Sequence, residues 1–331
     1  MPRAAILGLG QYLPDRVVTN HDLARMFNTS DDWIQQRTGI VERRYANGDD
    51  VGGSDLAIPA AEEAVKAAGM RMSDVEFIIF ATLSPDYFFP GSACVLQDKL
   101  GLPGIGALDL RNQCSGFIYS LSVADAFIRM GKYERILVVG AEVHSTALEY
   151  TDRGRDVTVL FGDGAGAAIL GATEEDRGIL STHLHADGRF AKDLWLEIPA
   201  SRYNPRLSKE HLEQGRHYPR MNGRKVFKMA VEKLPEVINE ALTANGVTLS
   251  DIALFVPHQA NLRINEFVGE TLGIPPEKIY NNIQRYGNTT AASIPIALNE
   301  AIHEGKAKKG DLIMLAAFGS GFTWASCLLR L

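Results

Sequence analysis

Arg111-Asn112-Gln113-Cys114-Ser115-Gly116-Phe117 joins two unlike patterns. Ahead of it, Ile105 to Leu110 is a short apolar run that reads as a strand. Behind it, Phe117 to Met130 repeats apolar residues at helical spacing. A single cysteine followed by two small residues therefore stands at or near a helix N-terminus. There the free N–H groups and the helix dipole favour a thiolate. Taken alone, Cys114 reads more readily as a buried cysteine in a strand-to-helix turn.

Working outward, the same alternation recurs. Toward the N-terminus, Ser92 to Leu100 is a small-residue helix and Val75 to Thr82 a nearly continuous apolar run, the mark of a strand buried on both faces. Ser54 to Ala68 places Leu56, Ala60, Ala61, Ala64 and Val65 on one helical face. Ala4 to Leu9 opens the chain as a strand. Thr19 or Asn20 caps a short helix, Thr29 and Ser30 precede acidic residues at the start of another, and Gly39 ends it. Toward the C-terminus, Arg135 to Gly140 is a buried strand, and Phe161-Gly162-Asp163-Gly164-Ala165-Gly166 runs into a further one. That glycine spacing lacks the phosphate-loop and dinucleotide patterns, so a close-packed turn is the better reading. Asp187 to Gly223 is irregular, with many charges. The alternation then restarts: helix Val226 to Asn245, strand Ile252 to Val256, helices Asn261 to Leu272 and Ser293 to His303, strands Asp311 to Phe318 and Phe322 to Leu331. Strands and helices in this order imply a layered, mostly parallel α/β architecture, and the repeat of order suggests two similar halves, 1–172 and 173–331.

The chain has 331 residues, 46% of them hydrophobic, and a formal charge of −6, which speaks against a general nucleic-acid binder. Three cysteines, Cys94, Cys114 and Cys327, do not make a disulfide framework and suit a reducing cytoplasm. The N-terminus enters a strand directly, without the apolar length of a signal peptide, and no run is long enough to span a membrane. His183 and His185 alternate on a strand without companion ligands, so no metal site is expected.

Three further strand ends carry polar residues. Val256-Pro257-His258-Gln259-Ala260-Asn261 puts a histidine directly after a buried strand. Tyr286-Gly287-Asn288-Thr289-Thr290 sets an asparagine in a turn before a small-residue helix. Phe318-Gly319-Ser320-Gly321-Phe322 is a glycine-flanked turn with exposed N–H groups. Singly, His258 is as well read as a satisfied core histidine, and Asn288 as a turn residue. Together, Cys, His and Asn at strand ends, with backbone donors beside them, fit nucleophilic catalysis.

With these motifs in hand, the whole chain resembles β-ketoacyl-acyl carrier protein synthase III, a condensing-enzyme family of the thiolase-like superfamily. The resemblance rests on Arg37-Thr38-Gly39-Ile40, Cys114-Ser115-Gly116-Phe117, Phe161 to Gly166, Pro257 to Asn261, Gly287-Asn288-Thr289 and Gly319 to Trp324. It implies a thiolase-like αβαβα sandwich of two halves, with Cys114 acylated by an acyl-CoA. His258 and Asn288 would stabilise the enolate of malonyl-acyl carrier protein. The N–H groups of Cys114 and Ser320 would form the oxyanion hole, Ser320 standing where the family usually has glycine. It further implies CoA contacts at Thr29, Trp33, Arg37, Arg153, Phe227 and Asn261, with Trp33 and Arg153 either side of the adenine. Carrier-protein docking falls at Gln259, Arg263 and Lys228, and Phe89 would reach the acyl pocket of a partner in a homodimer. No cofactor is implied, acyl-CoA and the malonyl-carrier being substrates. The expected reaction starts type II fatty acid synthesis. The alternative is a specialised relative acting in secondary metabolism.

Overall fold

The computed structural model describes residues 3–331. The strands of its two main sheets are β1 (Arg3–Tyr12), β2 (Phe77–Ala81), β3 (Gly106–Leu110), β4 (Arg135–Glu142), β5 (Gly164–Thr173), β6 (Gly178–Ala186), β7 (Leu254–Pro257), β8 (Leu312–Gly319) and β9 (Thr323–Arg330). The helices that matter here are α1 (Asp31–Thr38), α2 (Gly53–Ala67), α3 (Gly116–Arg129), α4 (Gly223–Asn245), α5 (Leu262–Leu272) and α6 (Ser293–His303).

One sheet runs β1-β5-β4-β2-β3, with β5 antiparallel to both neighbours and β4, β2 and β3 mutually parallel. The other runs β6-β9-β8-β7, with β9 antiparallel to both neighbours and β8 parallel to β7. A lone parallel bridge from Phe255 to Ile279 lies where a fifth strand would complete the order of the first sheet. The two sheets thus share one winding, and the similarity of order seen in the sequence has a topological basis.

Strand periodicity explains the layers. In β2 and β4, Ile79, Ile136 and Val138 face inward, against Phe117, Ile118 and Leu121 of α3 and Ile294 and Leu298 of α6. Val256 and Leu315 of the second sheet close on those helices from the far side. The alternate residues Ile78, Phe80, Leu137 and Val139 face outward, against Ala57, Ala60, Ala61 and Ala64 of α2. Covered on both faces, these strands read as unbroken apolar runs. Ile238 and Ala241 of α4 cover Phe255 and Met314 on the outside of the second sheet. The result is a five-layered αβαβα sandwich. The alanine face of α2 rides so close to β1 that a Cβ on Gly8 would stand 2.2 Å from the Ala64 carbonyl.

Local signals behave as physics expects. Thr19 makes a full capping box with Asp22, and Ser30 accepts the Trp33 N–H at the start of α1. Gly39 ends that helix in the left-handed conformation, φ 77°. A small antiparallel two-stranded ribbon, Arg16–Thr19 with Glu42–Tyr45, has too little alternation to stand out in sequence. With α1 and the 157–161 segment it builds a separate apolar cluster around Leu23, Phe27, Ile34, Ile40 and Phe161. The irregular 187–223 segment contains a two-residue ribbon, Leu194–Trp195 with Arg220–Met221, and a single-turn helix, Lys209–Glu213. Among the described residues no helix is long and apolar enough to cross a membrane.

Candidate active site

A cleft of about 1270 Å³ opens over the strand ends, and Cys114, His258, Asn288, Gly319 and Ser320 all line it. Cys114 occupies one tight turn, Gln113–Ser115, immediately before α3. Gln113 holds φ at 43°, left-handed for a residue with a side chain, so the nucleophile's turn carries backbone strain. Burial pushes the Cys114 thiol up to about 12, and the nearby Glu142 carboxylate adds to the rise. The N–H groups of Ser320 and of Cys114 itself pull the other way without winning. This corrects the expectation of a ready thiolate: the helix start and two N–H groups are outweighed by desolvation, and the resting group is a neutral thiol. Space beside it is tight. A Cβ on Gly319 would lie 2.9 Å from Sγ and 2.5 Å from Cβ of Cys114.

His258 follows β7 and is 4% exposed. Its N–H binds the Ala316 carbonyl at 2.8 Å, which fixes the backbone on the neighbouring strand. Nδ1 lies 2.7 Å from Ser293 Oγ, and Nε2 is buried without a partner among the described residues. Burial pushes the imidazole down to about 3, so the ring is neutral. Asn288 is tied at both backbone ends, its N–H to Leu160 at 2.8 Å and its carbonyl to the Gly162 N–H at 3.1 Å. Its Oδ1 accepts the Thr290 N–H at 2.8 Å, which leaves the amide N–H₂ as the free end. Two neutral donors therefore remain uncommitted in the cleft that holds a thiol and two backbone N–H groups. That set can stabilise charge on a thioester oxygen in two places.

The outer cleft is lined by Trp33, Arg37, Phe227, Asn261 and Arg263. Asn261 caps α5 through Oδ1 and donates from Nδ2 to the Arg37 carbonyl at 3.0 Å, joining two walls of the channel. Trp33 is covered by two guanidiniums, Arg37 at 4.6 Å and Arg155 at 4.4 Å. Arg153, expected across the adenine from Trp33, pairs with Glu149, and neither Arg153, Arg155 nor Thr29 lines the cleft. Gln259 is a correction. It is fully buried, its amide bonding the Pro257 and Tyr280 carbonyls and the Asn282 and Ile283 N–H groups, so it pins chain segments and offers nothing to a docking partner. Arg263 and Lys228 are exposed. Phe89 is 79% exposed and does not line this cleft, whereas Phe88 does.

Residues 108–188 match the family described as 3-oxoacyl-[acyl-carrier-protein (ACP)] synthase III, and residues 242–331 match its C-terminal region. Over all 331 residues the chain is 48% identical to the β-ketoacyl-[acyl-carrier-protein] synthase III of Alkalilimnicola ehrlichii, covering 100% of both chains. The chain belongs to the 3-oxoacyl-[acyl-carrier-protein] synthase III family. Among solved structures, the synthase III of Aquifex aeolicus superposes with a TM-score of 0.91 at 45% identity, covering 99% of this chain and 100% of that one. The Thermus thermophilus synthase III gives 0.90 at 43%, covering 99% of each. Members of this family are condensing acyltransferases, and the fold is thiolase-like.

Around the synthase III centre stand residues that the sequence did not announce. Ser293 opens α6, far from His258 in the chain, and only folding joins them. Glu142 ends β4, wholly buried. Burial pushes its carboxyl up to about 7 against hydrogen bonds from Ser84 Oγ, Thr82 Oγ1 and the Leu83 and Ser84 N–H groups. His144 lines the cleft with Nε2 2.7 Å from Thr290 Oγ1, and burial pushes it down to about 3. His183 and His185 share Glu240 of α4, at 3.2 and 2.6 Å. Among the described residues no group of three or more His, Cys, Asp or Glu is arranged to hold a metal ion.

Proposed function

We propose that this chain joins an acyl group from a short acyl-CoA to malonyl-acyl carrier protein, releasing carbon dioxide and starting a fatty acyl chain. The observation that carries this reading is that Cys114, His258 and Asn288 line one cleft with the Ser320 backbone beside the thiol.

In the first half-reaction, Cys114 Sγ attacks the acyl-CoA carbonyl and the N–H groups of Cys114 and Ser320 hold the oxyanion. The C–S bond to CoA breaks, and the thiol proton leaves with the CoA sulfur. Because the resting thiol is protonated, proton loss and attack are coupled in this step. In the second, the malonyl thioester oxygen accepts hydrogen bonds from His258 Nε2–H and Asn288 Nδ2–H. Loss of carbon dioxide leaves an enolate on that oxygen, and neutral donors suffice because no proton has to be removed from carbon. The carbanion attacks the acyl-cysteine carbonyl, the oxyanion forms again, and the Cys114 sulfur departs and takes up a proton. Splitting the condensation around an acyl-cysteine gives two accessible steps. The balance needs no cofactor.

Trp33, Arg37, Phe227 and Asn261 would hold the CoA in its channel, and Arg263 and Lys228 would meet an acidic carrier protein. Exposed Phe89, next to exposed Tyr87 and Phe88, fits burial in a homodimer in which it enters the partner's acyl pocket. Residues 1–172 and 173–331 would be the two thiolase-like halves, and soluble carrier-bound substrates suit work in the cytoplasm.

The test is intact-mass measurement with a series of acyl-CoAs, with and without malonyl-acyl carrier protein. An acyl adduct on Cys114 that disappears on adding the malonyl-carrier is expected. No adduct with any chain would overturn the reading, and an adduct that never turns over would favour a specialised acyltransferase. Sedimentation as a monomer would contradict the dimer.

A further inference from the structure

Ser320 contributes more than a backbone donor. Its side-chain hydroxyl donates to the Leu194 carbonyl, in the irregular segment far away in sequence. Leu194, Trp195 and Leu196 line the cleft, as Ser320 does. The ribbon that contains them is fastened on its other side, where the Asn222 N–H binds the Asp193 carbonyl at 2.7 Å and Asn222 Nδ2 binds Asp193 Oδ1 at 3.0 Å. Asn222 in turn caps α4. At the near end, Asp187 and Phe322 exchange backbone hydrogen bonds at 2.8 and 2.9 Å, and Phe190 stacks on Phe322 with ring centres 5.3 Å apart. Just past the Asp193 anchorage, the Ser320 hydroxyl joins the cleft-lining stretch of the ribbon directly to the turn beside the thiol.

The same residue is held from the opposite direction. Its carbonyl accepts from Thr323 Oγ1 at 3.3 Å, and Thr323 reaches Ser115 Oγ, next to the nucleophile, at 3.2 Å. Ser320, whose N–H faces the thiol, is thus held by a contact at its carbonyl and a second contact from its hydroxyl. Glycine or alanine at this position would keep the N–H and lose the second contact.

We infer that the Ser320 hydroxyl is a positioning group that fixes the Leu194–Leu196 wall against the oxyanion turn and thereby limits which acyl chains are accepted. With the hydroxyl present, the wall and the oxyanion donor move as one body, so an acyl chain too large for the wall displaces the donor and is transferred slowly. Without it the wall can withdraw while the donor stays near the thiol. The inference rests on the acyl-transfer reading of Cys114.

Ser320→Ala, Ser320→Thr and the unsubstituted chain are compared for kcat/KM in Cys114 acylation with acetyl-, butyryl-, hexanoyl- and octanoyl-CoA. Ser320→Ala should raise the octanoyl-to-acetyl ratio at least five-fold, and Ser320→Thr, which keeps a hydroxyl, should return it toward the original. A fall that is equal for every chain would mean that Ser320 serves the oxyanion turn alone. No change at any length would mean that the tether does nothing. Either result overturns the inference. Failure of the underlying reading looks different, since the unsubstituted chain would then form no acyl adduct at all.

Discussion

Ser293 Oγ lies 2.7 Å from His258 Nδ1, while Nε2 of the same ring has no partner among the described residues. The hydroxyl already accepts the Gln259 N–H at 3.3 Å, and among the described residues its own proton has only Nδ1 to go to. Donation to Nδ1 places the ring proton on Nε2, the tautomer that can donate to an enolate. Ser293→Ala should therefore slow carbon dioxide release from the malonyl-carrier about 10-fold, against about 10²–10³-fold for His258→Ala, the loss typical of a direct oxyanion donor. Acylation of Cys114 should persist in both, and Ser293→Thr should recover decarboxylation. Equal loss of acylation and decarboxylation in Ser293→Ala would show a general structural role instead.

Gly319 lies so close to the nucleophile that any side chain collides with it. An alanine methyl would stand 2.5 Å from Cys114 Cβ and 2.9 Å from Sγ, in a strand end with nowhere to retreat. Gly319→Ala should fold with a modest loss of stability and acylate at least about 100-fold more slowly, as a misplaced reacting group does. Intact mass against time with acetyl-CoA reads this directly. Acylation at the original rate would mean that the turn and Cys114 move apart freely.

Buried titratable groups make stability depend on pH in opposing directions. His144 and His258 are pushed down to about 3, so the unfolded chain binds their protons first. Their contribution is intact above the unfolded value near 6.5 and is lost as pH falls toward 3. Glu142 is pushed up to about 7, so its contribution is present below the unfolded carboxylate range and is lost as pH rises through 7. Between about pH 6.5 and 4.5 the two histidines oppose Glu142, and among these three the unbalanced group lowers stability with acid by up to about 1.4 kcal/mol per pH unit. Glu142→Gln should be stabilised relative to the unsubstituted chain at pH 8 and should lose stability more steeply below pH 6. Urea unfolding at pH 5, 6.5 and 8 measures both, and parallel curves for the two proteins would remove Glu142 from this balance.

The parts of the site that were legible from sequence are those where local pattern and chemistry coincide. His258 stands directly after β7 and Cys114 in the turn between β3 and α3, whereas Asn288, expected at a strand end, follows the one-turn helix Ile283–Tyr286. Ser293 was not legible, because its hydroxyl gains meaning only when α6 packs against the end of β7. Gln259, placed in the docking segment by the family resemblance, proves buried, because its amide satisfies four buried backbone groups. The sheet orders needed the fold as well, since strand succession does not say which strands pair, and the bridge at Ile279 is too short to carry a strand pattern.

Arg153 and Arg155, two residues apart, stand differently toward Trp33. Arg153 donates from Nε to Glu149 at 2.6 Å and is half exposed, whereas Arg155 lies 4.4 Å from the centre of the Trp33 ring. A stacked guanidinium next to an indole gives a planar ligand a ready-made layered site and carries charge for phosphates. If the CoA nucleotide uses this site, Arg155→Ala should raise the KM for acetyl-CoA by about three-fold, the effect of a cation–π contact near 0.5–1 kcal/mol. Arg153→Ala should change it by less. Acetyl-pantetheine, which has no nucleotide, separates this from a general disturbance, because its KM should not follow the Arg155 substitution. A larger acetyl-CoA effect from Arg153→Ala than from Arg155→Ala would mean that Arg153 leaves Glu149 when the nucleotide binds, and that Trp33 exchanges one guanidinium for the other.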